Sequence, residues 1–302
     1  MENTLRLIFP QWQGAESGNI ANYVRELAPQ EAAQGYVLGA QLLQWLAPAH
    51  AGSTATVPVS LASDADATKT EAGIFSRAAV LRQLRCALDI LAVHAPAKIA
   101  TLGGECSVSV APFTYLAARY ADDLAVLWLD AHPDLRVPHE DYTGFHAMAL
   151  AAVLGQGDAD ITAVLPASVP SQRALIVGLR SPEGGDMQRP GRFGVHWLPS
   201  EAVNEAGGNA VLQWLRQCGA RHVAVHLDLD AMEPTELRVA VASDAHGLRI
   251  APTAALLQRI AREFNLVGLT VAEPMPREAI LLRRLLHALP LLGADGEVSD
   301  TP

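Results

Sequence analysis

Residues 126–148 read VLWLDAHPDLRVPHEDYTGFHAM, and the reading of the fold turns on the change of character after Leu129. Val126, Leu127, Trp128 and Leu129 form an unbroken apolar run, the pattern of a strand covered on both faces in a parallel sheet. Asp130, His132 and Asp134 then follow at alternate positions, so an extended backbone would put their side chains on one face. Polar residues at the carboxyl end of a parallel strand lie where open α/β sheets place their sites.

A second stretch, residues 222–230 (HVAVHLDLD), is also strand-like and ends in Asp228 and Asp230. Either motif alone is more commonly a solvated turn or a helix cap. Jointly they carry weight, because both put alternating acids where a buried strand emerges. Four carboxylates packed that closely repel one another and stay ionised only with cations among them. Carboxylate with imidazole suits divalent manganese, with other first-row metals possible, and shared oxygens favour two ions.

Composition narrows the class. The 302-residue chain is 50% hydrophobic, enough for a large core. Its apolar runs are too short or too interrupted by charge to cross a bilayer, and the amino-terminal MENTLRLIFP lacks the pattern of a leader. Three widely spaced cysteines, Cys86, Cys106 and Cys218, argue against a disulfide framework and for a reducing, cytoplasmic setting. A net charge of −10 with no basic cluster argues against a nucleic-acid partner.

Working outward, strands are expected at Leu5 to Phe9, Val57 to Leu61, Lys98 to Leu102, Ala174 to Gly178, Val195 to Leu198, His222 to Asp230 and Leu266 to Val271. Helices are expected over Asn19 to Leu27, Glu31 to Leu46, Ile74 to Val93, Val108 to Tyr120, Ala147 to Leu154, Ala210 to Cys218, Pro252 to Asn265 and Glu278 to His287. Ser63 to Thr70 reads as a polar turn, Gly155 to Asp160 as a loop and the tail after Gly293 as frayed. No internal repeat is present. Alternating strands and helices predict an α/β fold with one doubly wound, mostly parallel sheet, the whole of 1–302 forming a single domain. Gly103 and Gly104 at a strand end suit a tight turn, and Glu105 or Cys106 is expected to point into the same crevice as the aspartates.

From Leu102 to Glu273 the motifs resemble, in order, those of the arginase and agmatinase (ureohydrolase) superfamily. Gly103-Gly104-Glu105-Cys106-Ser107 resembles G-G-D-H-S, and Asp130-Ala131-His132-Pro133-Asp134 matches D-A-H-x-D. Residues Asp228 to Pro234 resemble D-x-D-x-x-D-P, His146-Ala147-Met148 resembles the catalytic H-G-M, and Glu273-Pro274 resembles the late E-x-x-P. The resemblance implies a three-layer α/β/α arginase-like fold, a pair of manganese ions and a homo-oligomer, trimer or hexamer. It implies that Asp130 and Asp228 bridge the metals, with Asp134 on one and His132 and Asp230 on the other. A water activated between the ions would attack the guanidinium carbon of a small-molecule substrate, Glu273 would hold the guanidinium, and His146 would shuttle protons. Glu183 falls where arginases carry an acid that senses the substrate amino group; His139 and Arg136 lie in or near the loop that reads its far end.

The chain departs from the pattern at Cys106, where the family has a histidine ligand. Cys106 is read as a metal ligand all the same, the alternative being a neutral buried thiol beside a single firmly bound ion. A thiolate is softer than imidazole and suits zinc or iron better than manganese, so the metal position at Cys106 is in question, and a similar cysteine marks a branch that includes hydroxyarginine amidinohydrolases. His226, two residues before Asp228, is read as a partner that orients a carboxylate. The expected activity is hydrolysis of a linear C–N bond in a guanidino compound such as arginine or hydroxyarginine, releasing urea or a urea derivative and an amine. Agmatine-like, guanidino-acid and formimino substrates are the alternative within enzymes, and a degenerate, non-catalytic metal-binding protein is the alternative outside them.

Overall fold

The computed structural model describes residues 3–28, 31–62 and 69–293. Ten strands follow in chain order: β1 (Thr4–Phe9), β2 (Ser53–Thr56), β3 (Thr70–Glu71), β4 (Ile74–Phe75), β5 (Lys98–Gly103), β6 (Leu124–Leu129), β7 (Ala174–Val177), β8 (His196–Leu198), β9 (His222–Asp228) and β10 (Asn265–Ala272). Eight of them form one sheet in the order β2-β1-β5-β10-β9-β6-β7-β8, parallel at every pairing, while β3 and β4 make a small antiparallel hairpin.

The alternation of side chains along the central strands builds two cores. On β6, Leu124, Val126 and Trp128 join one apolar cluster and Ala125, Leu127 and Leu129 the other, and all six are buried. The first cluster packs beneath the helices Arg77–His94, Val110–Tyr120 and Ala149–Val153. The second packs beneath Gly35–Leu46, Asn209–Cys218, Ile250–Glu263 and Ala279–Ala288. The result is a three-layer α/β/α sandwich with a doubly wound parallel sheet.

Several expected elements shift. Val57 to Leu61 is not a strand; the edge strand is the preceding Ser53–Thr56, mostly exposed and polar, so it lacks the apolar signature that a buried strand carries. The helix expected over Asn19 to Leu27 is one turn, Ser17–Ile20, followed by irregular backbone. Inside the expected loop Gly155 to Asp160, the helix Ala159–Val164 begins, started by Asp158, whose side chain accepts the N–H groups of Asp160 and Ile161. The turn expected at Ser63 to Thr70 and the tail after Gly293 fall mostly or wholly outside the described residues.

Candidate metal centre

Four neighbouring strands, β5, β10, β9 and β6, end on one side of the sheet, and each delivers a polar residue there: Cys106 after β5, Glu273 after β10, Asp228 at the end of β9 and Asp130 after β6. The segment after β6 does not stay extended. It bends at once, and Asp134 takes a left-handed backbone (φ 50°). That bend, rather than strand alternation, is what separates Asp134 from His132. Asp130, His132 and Asp230 form one group of potential ligands, and Cys106, Asp130, Asp134 and His226 form another, the ligand atoms within each lying within 4.8 Å of one another. Asp130 belongs to both. Asp228 lies outside both groups but beside the second, its Oδ2 3.0 Å from Cys106 Sγ.

The carboxylates are held by their neighbours. Asp130 Oδ2 accepts from Trp128 Nε1 (2.9 Å) and Oδ1 from the His132 N–H (2.7 Å). Asp228 Oδ1 accepts from the Asp230 N–H (2.6 Å), and His132 Nδ1 lies 2.9 Å from Asp230 Oδ2. Asp134 Oδ2 is buried with no hydrogen-bond partner, as is His226 Nε2. Glu105 turns away from the crevice, wholly buried against Gln11 and Ser107, while Cys106 lines it. Glu233 is also structural, accepting from the N–H groups of Gly247 and Thr235.

Electrostatics mark this as a place for cations. Burial and the Asp230 charge push Asp130 up to about 6. Burial and like charge raise Asp134, beside Asp130, and Asp228, beside Asp230, well above the carboxylate range. Burial likewise raises the Cys106 thiol, with Asp134 and Asp228 adding to it. Asp230 is lowered, because His132 outweighs its desolvation. Burial pulls His132 down, but Asp230 and Asp130 win and raise it well above its usual value. Acids crowded until they would rather keep their protons, an orphaned carboxylate oxygen and an orphaned imidazole nitrogen are a donor set that fits divalent cations.

Beside this group, His146 Nδ1 lies 3.3 Å from Glu273 Oε1, and its Nε2 is 2.7 Å from the Tyr142 hydroxyl. Glu273 is held in an uncommon conformation for a non-glycine residue (φ 63°), and its Oε1 accepts the Cys106 N–H at 3.1 Å. Burial lowers His146, yet Tyr142 and Glu273 raise it well above the ordinary histidine value. Tyr142 escaped the sequence reading; its position four residues before His146 in a polar loop was the available signal.

These groups open into a cavity of about 850 Å³, walled also by Tyr36, Arg136 and Glu183. The Arg136 guanidinium is already shared among Asp141, Glu183 (2.6 Å) and Asp186 (3.5 Å). A substrate carboxylate reaching Arg136 would have to compete with Asp141 and Glu183. His139, also expected to face substrate, is exposed with a left-handed backbone (φ 72°) and is not part of the cavity wall.

Comparison with known proteins follows the same lines. The arginase of Staphylococcus aureus (strain COL) is 26% identical over 140 residues, covering 45% of this chain and 46% of that protein, so the match spans about half the length of this curated relative. Among solved structures, the arginase of Entamoeba histolytica in complex with L-ornithine superimposes with a TM-score of 0.74 at 16% identity, covering 95% of this chain and 96% of that one. Proclavaminate amidino hydrolase from Streptomyces clavuligerus gives 0.67 at 18% identity, covering 96% and 91%. Residues 25–280 match the sequence model described as the Arginase family, and with the fold and motif order above, the chain belongs to that family.

Proposed function

We propose that the protein is a metal-dependent hydrolase that cleaves a C–N bond of a small guanidino compound, giving urea or a urea derivative and an amine. The observation that carries this reading is the pairing of two things at four adjacent strand ends: a buried donor set suited to cations, and a His146–Glu273 pair that opens into the cavity. A module that only stored metal would need no such pair.

One ion would be held by Asp130, His132 and Asp230, and a second by Asp130, Asp134 and Asp228, with Cys106 beside it; manganese, zinc or iron would serve. Bound there, the ions supply the Lewis acidity that makes a hydrolytic nucleophile available near neutral pH. Glu273 accepts hydrogen bonds from the substrate guanidinium and fixes its plane. As the oxygen of water bonds to the guanidinium carbon it gives up its protons to the surrounding carboxylates and, through them, to the site. The C–N bond breaks and the leaving nitrogen takes a proton from His146, so that water's protons replace those carried off by the amine. The raised basicity of His146 keeps that proton available at neutral pH. Tyr142, hydrogen-bonded to Nε2, orients the ring and lies on the route by which the proton is replaced. Glu183 and Arg136 meet the far end of the substrate. The proposal includes a homo-oligomer and a cytoplasmic setting, which rest on the family resemblance and cysteine usage; no described helix is long and apolar enough to cross a membrane.

The test is release of urea and amine by manganese-loaded protein from a panel of arginine, hydroxyarginine, agmatine, guanidino acids and a formimino compound. Turnover of one class identifies the substrate. No product from any of them in metal-replete protein overturns the reading and leaves the non-catalytic alternative, which the thiol at Cys106 would then favour.

A further inference from the structure

The second metal position lacks the imidazole its family pattern supplies, because Cys106 stands there, and a neutral buried thiol is a poor donor to a hard divalent ion. An imidazole nevertheless reaches it from another strand. His226 lies on β9, two residues before Asp228 and on the same face, wholly buried. A row of side chains runs across the sheet at this level, Thr101, Thr270, His226 and Trp128, each on a neighbouring strand in register. The His226 ring is stacked on Trp128 with centroids 3.7 Å apart and planes 14° from parallel. Its Nδ1 is 2.8 Å from the Ser109 hydroxyl. Stacking fixes the plane of the ring and Ser109 fixes its rotation.

What this rigid mounting presents is Nε2, buried without a hydrogen-bond partner. A buried polar nitrogen left without a partner destabilises the fold unless something binds it. The ring belongs to the group formed with Cys106, Asp130 and Asp134, within 4.8 Å, close to the reach of donors that share one first-row ion. Ser109 supplies the outer partner that metal-bound histidines use to fix the tautomer: with Nδ1–H donated to the hydroxyl, the lone pair stays on Nε2.

We propose that His226 is a metal ligand, its Nε2 replacing from β9 the nitrogen donor lost at Cys106, so that the second ion is held by His226, Asp130, Asp134 and Asp228 and does not depend on the thiol. This inference rests on the metal-centre reading above. It restores a nitrogen-and-oxygen donor set of the kind manganese accepts.

The experiment uses the full chain loaded with manganese, counted by elemental analysis, and with cobalt(II), followed by proton NMR, in which a coordinated imidazole keeps an exchangeable, strongly shifted ring N–H. Wild type should hold two ions, and H226Q one, with loss of a shifted N–H signal that C106A leaves in place. S109A, which removes the acceptor of that N–H, should speed its exchange and weaken the second ion by roughly 10- to 100-fold. If H226Q holds two ions and loses no shifted signal, the inference fails while the metal centre stands. If wild type takes up no ion, the metal-centre reading fails and takes the inference with it. Should H226Q not fold, the wild-type cobalt spectrum decides: a shifted N–H whose exchange responds to S109A supports ligation, and its absence overturns it.

Discussion

His146 is the side chain whose removal separates chemistry from binding. It touches Glu273 and Tyr142 and shares with Cys106 and Glu273 a third group of potential ligands that lacks Asp130, so H146A should keep the two ions held around Asp130 while kcat falls by about 10²–10⁴, read by urea release beside elemental analysis. The acids beneath it predict a pH dependence. Asp130, Asp134 and Asp228 are raised in the folded chain, so without metal the native state holds protons that the unfolded chain releases near pH 4. His132 and His146 are also raised, so their stabilisation is complete below about pH 6.5 and is lost as pH climbs through the folded values. Both contributions disappear in the same direction, and His226, which burial lowers to about 3, works the other way over the same window as one group against three raised acids. The melting temperature of chelator-treated protein should therefore fall from about pH 4 through 6 and above, and an upward trend over that window would contradict this account. At this scale the sequence showed which residue types converge, since alternate acids after an apolar run are hard to place otherwise. It did not show which atoms are left without partners, because that depends on register across four strands; His226, read as a partner that orients a carboxylate, instead meets the Ser109 hydroxyl and the Trp128 ring.

Elements were legible in proportion to how much of them the core dictates. β6 and β9 are buried along nearly their whole length and announce themselves as apolar runs, whereas β2, an exposed edge of Ser, Thr and Ala, carries no such mark. The convergence of Asp130 and Asp134 was expected from an extended backbone and is achieved by a bend, which no local pattern of alternating acids distinguishes from a strand. Packing between elements supplies a further test. A Cβ placed on Gly39, in the helix Gly35–Leu46, would sit 1.8 Å from the Pro274 carbonyl oxygen, next to Glu273. G39A must push that helix off the end of β10; a cost of about 1–3 kcal/mol in denaturant unfolding is expected, with a raised KM as Glu273 shifts. Unchanged stability would mean that the helix moves freely over Pro274. Within the strands, L127A should cost about 2–5 kcal/mol, because its buried side chain has nothing to refill the space it leaves.

For the molecule as a whole, the proposed centre couples ion binding to folding, so metal and fold are expected to stabilise each other. Ions that bind only the native centre should raise the melting temperature, by the equivalent of about 2.7 kcal/mol at a hundredfold excess over Kd, and chelation should reverse it. A thermal scan with and without manganese measures this, and D130N, which touches both groups, should abolish the difference. The order of the strands has a consequence for synthesis. β10 is the last of the described strands in chain order, yet it lies between β5 and β9, so within the sheet β2-β1-β5 on one side and β9-β6-β7-β8 on the other meet only through it. Until residue 265 has emerged the nascent chain is two half-sheets with open edges and no Glu273, and closing it requires contacts between residues more than 160 positions apart. The centre cannot be assembled piecemeal: a chain stalled short of its last strand has neither a complete sheet nor a working site, and cells would encounter it as an aggregation hazard rather than as a partial enzyme.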